Sequence, residues 1–371
     1  MRVDVLGLEF SPEFADEWQK LLYASSADPL FNSPEWLETW WRQYGAVIGS
    51  SPEIIAVRLG AATVGLGFFH RRRAVHKLGL AGNRMELLGT AWRVRGVGFS
   101  ERTSVLVCQE REAAVAAALI GQLVTDERWD DLVVSNTPSA GITERVFRGI
   151  HAQTGGYLRT TDRMEAWVLP LSGDFAELTA RLGAGTRARM VGSRKRLAAA
   201  GTLVERILGP NELADGWRIF AQLYDERWGG TWSDHLRSFY DSLSRPQIAR
   251  GVPAVSVLEF NDEPISILIN LRAGGREYQL ASAFKTVEVK RVSPGWLHLG
   301  LAIERACNDG MSHFDMLGGT GKQEQYKAAL HGQRTTLVTL QLIRNPYLAA
   351  LYRSWDGLNA LRGKMGPAEA P

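Results

Sequence analysis

The chain has 371 residues, 45% apolar and 22% charged, with a formal net charge of +3. That length is too great for one ordinary core and predicts two domains, while so mild a charge gives no argument for nucleic-acid binding. The two cysteines, Cys108 and Cys307, lie too far apart in sequence for a disulfide framework or a metal-ligand cluster.

In chain order, the first half predicts a strand over 3–8 and a helix over 12–25 with Pro12 in its first turn. Ser33-Pro34-Glu35-Trp36 reads as an N-cap, a proline at N1 and a helix to residue 44. Residues 52–59 and 63–71 form a predicted hairpin, with further strands at 84–88 and 103–107. An alanine-rich helix at 110–125, a strand at 131–134 and a helix at 143–155 follow, and 161–171 is a strand or a connection. Trp36, Trp40 and Trp41 sit within six residues, as filling for an N-terminal core or as a cleft wall.

The second half repeats that order. Helices are predicted at 174–182, 186–200, 211–227 and 233–243, the second stopped by Gly201. Strands at 255–260 and 265–271 flank the turn Asn261-Asp262-Glu263-Pro264. A strand at 277–284, a helix opening at Ser293-Pro294-Gly295, a strand at 313–317, a helix at 324–330 and a β-rich run at 335–343 complete it. The expected fold class is α/β (α+β), two tandem domains, each a mixed, mostly antiparallel sheet flanked by helices. Their expected bounds are 1–165, the degenerate copy, and 166–345, the copy with the site. Residues 346–371 make a C-terminal helix over 346–364 and a frayed tail.

The stretch from Lys290 to Leu330 carries the most chemistry. A turn whose amides point outward at a helix N-terminus holds phosphate, and the helix dipole adds to the attraction. Such a turn beside a strand and a helix suits a pantetheine-linked pyrophosphate such as coenzyme A. Gly318-Gly319-Thr320-Gly321-Lys322 is not a nucleotide-binding P-loop, because Gln323 follows the lysine. No metal constellation or covalent-nucleophile motif stands out. Two basic runs, Arg71 to Lys77 and Arg187 to Arg196, are solvated faces or anion contacts.

The order of these phrases resembles the GNAT superfamily of acyl-CoA-dependent acyltransferases. More narrowly it is similar to the CelD-like (cellulose-biosynthesis-type) acetyltransferase family, a relative of the Fem-type peptidyltransferases. The matching phrases are Phe31 to Trp36, Arg194 to Leu197, Arg227-Trp228, Ala283-Phe284, Arg291 to Gly295, Phe314 to Gly319 and Tyr326-Lys327. The resemblance implies two GNAT-like domains, only the second keeping a donor site. It implies acetyl-CoA or another acyl-CoA as co-substrate, without a metal, held by Lys290, Arg291, Val292, Ser293, Pro294, Gly295, Trp296, Ser282 and Phe284.

Transfer to an amine or hydroxyl needs a carboxylate to take the acceptor's proton. Asp315, Asp225 and Glu226 are the candidates, with Tyr326, by resemblance, protonating the departing thiolate. Trp228, Tyr278, Lys285, Gly318, Gly319 and Lys327 are candidate acceptor-site residues. Tyr278 and Ser282 share a strand face. The expected acceptor is a small molecule or saccharide, with no stable nucleic-acid partner and no membrane span; a homo-oligomer is compatible. Residues 1–10 lack a signal-peptide layout, so the expected compartment is the cytoplasm. Two rival readings are a Fem-type transferase drawing an aminoacyl group from tRNA, and a non-catalytic binding protein on the same fold.

Overall fold

The computed structural model describes residues 1–7, 11–98, 100–171, 173–229, 234–243, 252–319 and 326–364. Ser233, residues 320–325 with the start of the helix expected at 324–330, and the tail 366–371 lie outside the described residues.

The first half runs β1 (Arg2–Leu6), α1 (Pro12–Tyr23), α2 (Pro34–Tyr44), β2 (Ser51–Leu59), β3 (Ala62–Val75), β4 (Ala81–Leu87), β5 (Leu106–Val107), α3 (Glu112–Thr125), β6 (Asp131–Pro138), α4 (Ile142–Thr154) and β7 (Tyr157–Pro170). The second runs α5 (Phe175–Ala180), α6 (Ala184–Met190), α7 (Gly192–Ala200), β8 (Leu203–Ile207), α8 (Leu213–Trp228), α9 (Asp234–Leu243), β9 (Val252–Phe260), β10 (Glu263–Ala273), β11 (Arg276–Phe284), α10 (Pro294–Asn308), β12 (His313–Gly319), β13 (Gln333–Ile343) and α11 (Pro346–Lys364).

The caps behave as their residues dictate. Ser11 and Ser33 each precede a proline and accept the amide three residues on, opening α1 and α2. The helix expected over 186–200 is instead two, α6 and α7, meeting at Val191. Strand β8 is not among the expected elements, because Leu203-Val204-Glu205-Arg206-Ile207 does not alternate apolar with polar residues.

The two expected sheets are one continuous sheet of thirteen strands, ordered β1-β2-β3-β4-β6-β13-β7-β12-β11-β10-β9-β8, with β5 against β3. Each half contributes one parallel pair, β4 with β6 and β11 with β12. The closing strands are exchanged: β7 of the first half pairs with β12, and β13 of the second pairs with β6. They also pair with each other over their length. Residue 165 therefore falls inside β7, in a strand shared by both halves.

An aromatic cluster joins the halves on one face. Trp18 of α1, Phe31 of the turn that follows, and Trp36, Trp40 and Tyr44 of α2 pack with Phe239 of α9 and Tyr278 of β11. Trp36 and Trp40 are buried, with indole N–H groups donating to Ser100 Oγ and Gly98 O, both at 2.7 Å. The tryptophans thus fill core, the outcome favoured when a large ring also finds a partner for its N–H. Helices α3 and α4 cover the first half of the sheet, and α5, α6 and α10 cover the second.

Candidate active site

The parallel pairing of β11 with β12 covers only Arg276–Tyr278 against His313–Asp315. Beyond those residues the strands separate, leaving residues 279–284 of β11 without a neighbour strand on that side among the described residues. Two irregularities accompany the split. The register of β11 against β10 slips at Leu280, between the pairs Ile269–Ala281 and Asn270–Gln279. On β12 the slip covers Met316 and Leu317, and Leu317 adopts φ +60°. Bulges of this kind bend a strand and re-aim its side chains. Alternation survives in β11, where Tyr278 and Leu280 face the aromatic cluster and Ala281 and Ala283 face α8.

Helix α10 begins at the open end of that split. Pro294 supplies the fixed φ of its first turn, and Ser293 at the N-cap makes no side-chain cap bond. The amides of Gly295 and Trp296 have no acceptor among the described residues. A Cβ on Gly295 would lie 2.6 Å from the Phe284 ring, so the glycine permits the end of β11 to close against the helix. Arg227 stacks on Phe284 at 3.8 Å and Arg189 on Trp296 at 4.6 Å. Trp296 meets Tyr326 edge-on, with ring centroids 5.9 Å apart. Burial holds the Tyr326 hydroxyl up at about 12, keeping it a proton donor near neutral pH.

The turn before α10 is pinned from α7. Arg196 donates to the Arg291 carbonyl at 3.0 Å, Arg291 itself being at φ +62°, and Ser293 N–H donates to the buried Ser193 Oγ at 3.4 Å. Val292 packs against the cluster of Leu197, Leu258, Ile265 and Leu297, while Lys290 is exposed.

A second group of predicted residues forms a buried polar cluster between the halves, on the β12 bulge that borders the split. Asp315 is fully buried, its carboxylate held by Arg102 through one hydrogen bond of 3.0 Å and an ion-pair contact of 2.9 Å, and by Leu317 N–H at 2.9 Å. Burial raises its pKa, and the Arg102 guanidinium opposes that rise. Tyr278 donates to Asp28 at 3.2 Å, and its pKa is pushed strongly up by burial. Glu101 accepts Gly318 N–H at 2.6 Å and is raised by burial against the pull of Arg102. Lys327, buried and lowered to about 8, donates to the carbonyls of Leu317 and Gly318.

The structure thus brings Phe284, Ser293, Pro294, Gly295, Trp296 and Tyr326 together at the head of α10. It gathers Tyr278, Asp315, Gly318 and Lys327 in the polar cluster beside the β12 bulge. Ser282 lies on the unpaired part of β11, and Gly319 ends β12 opposite Glu165. Asp225 and Glu226 are exposed at the end of α8, Glu226 bonded to Gln222, and Trp228 is half exposed over Tyr224. Lys285 points to Glu263 at 3.0 Å. Sequence reasoning missed Asp28, Glu101 and Arg102; the one local signal was a charged pair in a run of small residues. No group of three metal-ligating side chains occurs among the described residues, nor a helix long and apolar enough to cross a membrane.

Residues 184–328, which contain the split strands and α10, match the profile of an acetyltransferase (GNAT) domain. This stretch is a GNAT acetyltransferase-type domain. A search of curated proteins finds no match. Among solved structures, FemX is similar in fold at 12% identity and a TM-score of 0.63, with 94% of this chain and 99% of that one covered. A conserved protein of unknown function from Bacteroides thetaiotaomicron VPI-5482 is similar at 8% identity and a TM-score of 0.55, covering 92% of this chain and 100% of that one. At such identities the likeness is one of fold. The GNAT profile falls on the half whose strands split beside α10.

Proposed function

We propose that this GNAT protein is an acyl-CoA-dependent acyltransferase that moves an acetyl group to the amine or hydroxyl of a small acceptor. The observation that carries the reading is the first turn of α10. Its unaccepted amides, under Arg189 and Arg227, fit a pyrophosphate, and the unpaired edge of β11 beside it fits an extended pantetheine. The attacking nitrogen or oxygen forms its bond to the thioester carbon as the carbon–sulfur bond breaks.

Two residues handle the protons. Glu101, raised by burial and set against Gly318, takes the proton of the attacking group. Tyr326 gives its proton to the departing thiolate. Asp315, locked on Arg102, serves as a positioning residue that holds the β12 bulge through Leu317 N–H. Open amides on the unpaired part of β11 would polarise the thioester carbonyl, a contact worth about 3–4 kcal/mol in favourable cases.

Turnover tests the reading. Acetyl-CoA is supplied with a panel of amino acids, amino sugars and sugars, and free thiol is followed. Acceptor-dependent thiol release supports it. Transfer from aminoacyl-tRNA with no thiol release from acetyl-CoA would replace it with the Fem-type reading.

A further inference from the structure

Residues 178–204 carry six cations, Arg181, Arg187, Arg189, Arg194, Lys195 and Arg196, and no carboxylate. They run from the end of α5 through α6 and α7. Thr186, Met190, Ser193 and Leu197, spaced by three and four residues, form the buried side of those two helices, which leaves the charges on the outer sides. All of the cations but Arg196 are exposed. Among the described residues only Arg194 of the six meets a carboxylate, Glu304 at 3.2 Å. Arg187, Arg189 and Arg196 donate only to main-chain carbonyls. Like charges gathered in this way repel one another, and a partner of opposite sign relieves that repulsion.

This face borders the head of α10. Arg189 stacks on Trp296 at 4.6 Å, Arg196 donates to the Arg291 carbonyl at 3.0 Å, and Ser193 Oγ accepts Ser293 N–H. Lys290 and Arg291, both exposed, carry the charge onto the turn itself. From residue 184 to residue 200 the two helices run up to about 25 Å, more than one pyrophosphate spans. Arg187 turns back to the Ala180 carbonyl and Arg194 to Glu304, both away from that turn. Their charge, with that of Lys195, lies beyond a phosphate held at the first turn of α10.

We propose that the α6–α7 face docks an acidic protein that carries the acyl group on a phosphopantetheine arm. This rests on the donor-site reading above. Such an arm presents a phosphate to the first turn of α10 and an extended chain to the unpaired edge of β11, as coenzyme A does. The carrier adds what a nucleotide lacks, an acidic surface to face the outer cations. RNA fits less well, because the rings at the head of α10 already serve as arginine platforms, Trp296 under Arg189 and Phe284 under Arg227, rather than lying open for a base. In the transfer the acyl carbon bonds to the acceptor as its bond to the pantetheine sulfur breaks. Glu101 takes the acceptor's proton, Tyr326 protonates the thiolate, and the carrier leaves with a free thiol.

Two measurements on the full chain test this. Fluorescence anisotropy with a labelled apo acyl carrier protein, which has no pantetheine arm, reads the surface by itself. The wild type binds it saturably at low salt, and raising the salt from about 50 to about 200 mM weakens binding several-fold. Arg187→Glu/Lys195→Glu weakens it by about tenfold or more, while the charge-keeping Arg187→Lys/Lys195→Arg binds like wild type. Thiol release is then followed from acetyl-CoA and from the acetylated carrier. The charge-reversed variant keeps the wild-type rate with acetyl-CoA, which shows that it is folded, and loses rate with the carrier. A wild type that does not bind the carrier, a charge-reversed variant that binds it like wild type, or a face that takes unacylated tRNA in preference to the carrier would each overturn the proposal. The two readings fail separately: turnover of acetyl-CoA without carrier binding strikes only the docking surface, whereas carrier binding with no thiol release from either donor strikes the donor site and with it the delivery of the acyl group.

Discussion

Asp315→Asn tests whether the ion pair between the halves positions the site or performs its chemistry. Asp315 has no exposed surface, and the Arg102 side chain is 7% exposed. Asparagine keeps an oxygen for Leu317 N–H and removes only the charge. Breaking a buried pair by removing one partner costs ~3–5 kcal/mol, because the other charge is left uncompensated. Asp28 still acts on Arg102, so the lower end, about 3 kcal/mol, is expected. The double variant Arg102→Met/Asp315→Leu, which removes both charges, recovers most of that loss. Equilibrium urea unfolding read by tryptophan fluorescence measures both, since Trp36 and Trp40 lie in the cluster that joins the halves. A loss below about 1 kcal/mol for Asp315→Asn, or a double variant worse than the single, would refute the reasoning. The pH profile of kcat/KM in Asp315→Asn keeps its acidic limb; a vanished limb would return the proton-accepting role to Asp315.

Glu101→Gln keeps an acceptor for Gly318 N–H but cannot take a proton, so kcat falls by roughly 10²–10⁴ in steady-state assays while acceptor KM changes little. In the wild type, kcat/KM is lost as pH falls through the raised pKa of Glu101, above the ordinary 4.5, and the variant lacks that limb. Tyr326→Phe preserves the ring contact with Trp296 and lowers kcat by about 10–100-fold, an effect that shrinks with acyl thioesters of more acidic thiols. Lys327 titrates at about 8 in the fold against 10.5 ordinarily, so between those values the unfolded chain binds the extra proton. Stability therefore rises with pH across that window, by at most about 3 kcal/mol, and urea midpoints at a series of pH values show a flatter slope in Lys327→Met.

Much of the fold can be read locally. Ser33-Pro34 and Ser293-Pro294 open helices where a β-region cap and a fixed proline φ demand it, and Asn261-Asp262, both at positive φ, turn the β9–β10 hairpin. The strand exchange has no local signal. Which strand receives β7 or β13 depends on partners far along the chain, and both read simply as β-rich runs. The site divides the same way. The head of α10 was legible because its turn, cap and flanking rings are contiguous. Glu101 and Arg102 were not, because their partners Gly318 and Asp315 lie 217 and 213 residues away. Asp315 stood out as a charge in an apolar strand, but only its partner reveals that the charge is neutralised in place.

Calorimetric titration with acetyl-CoA of the wild type and Ser293→Asp tests the donor site most directly. Aspartate is a good N-cap, so the variant keeps or gains helix stability while placing a negative charge where the pyrophosphate is expected. Saturable binding by the wild type that is lost in a fully folded Ser293→Asp is the predicted result. Equal binding by both, or none by a folded wild type, would contradict the placement of an acyl-CoA donor at the head of α10.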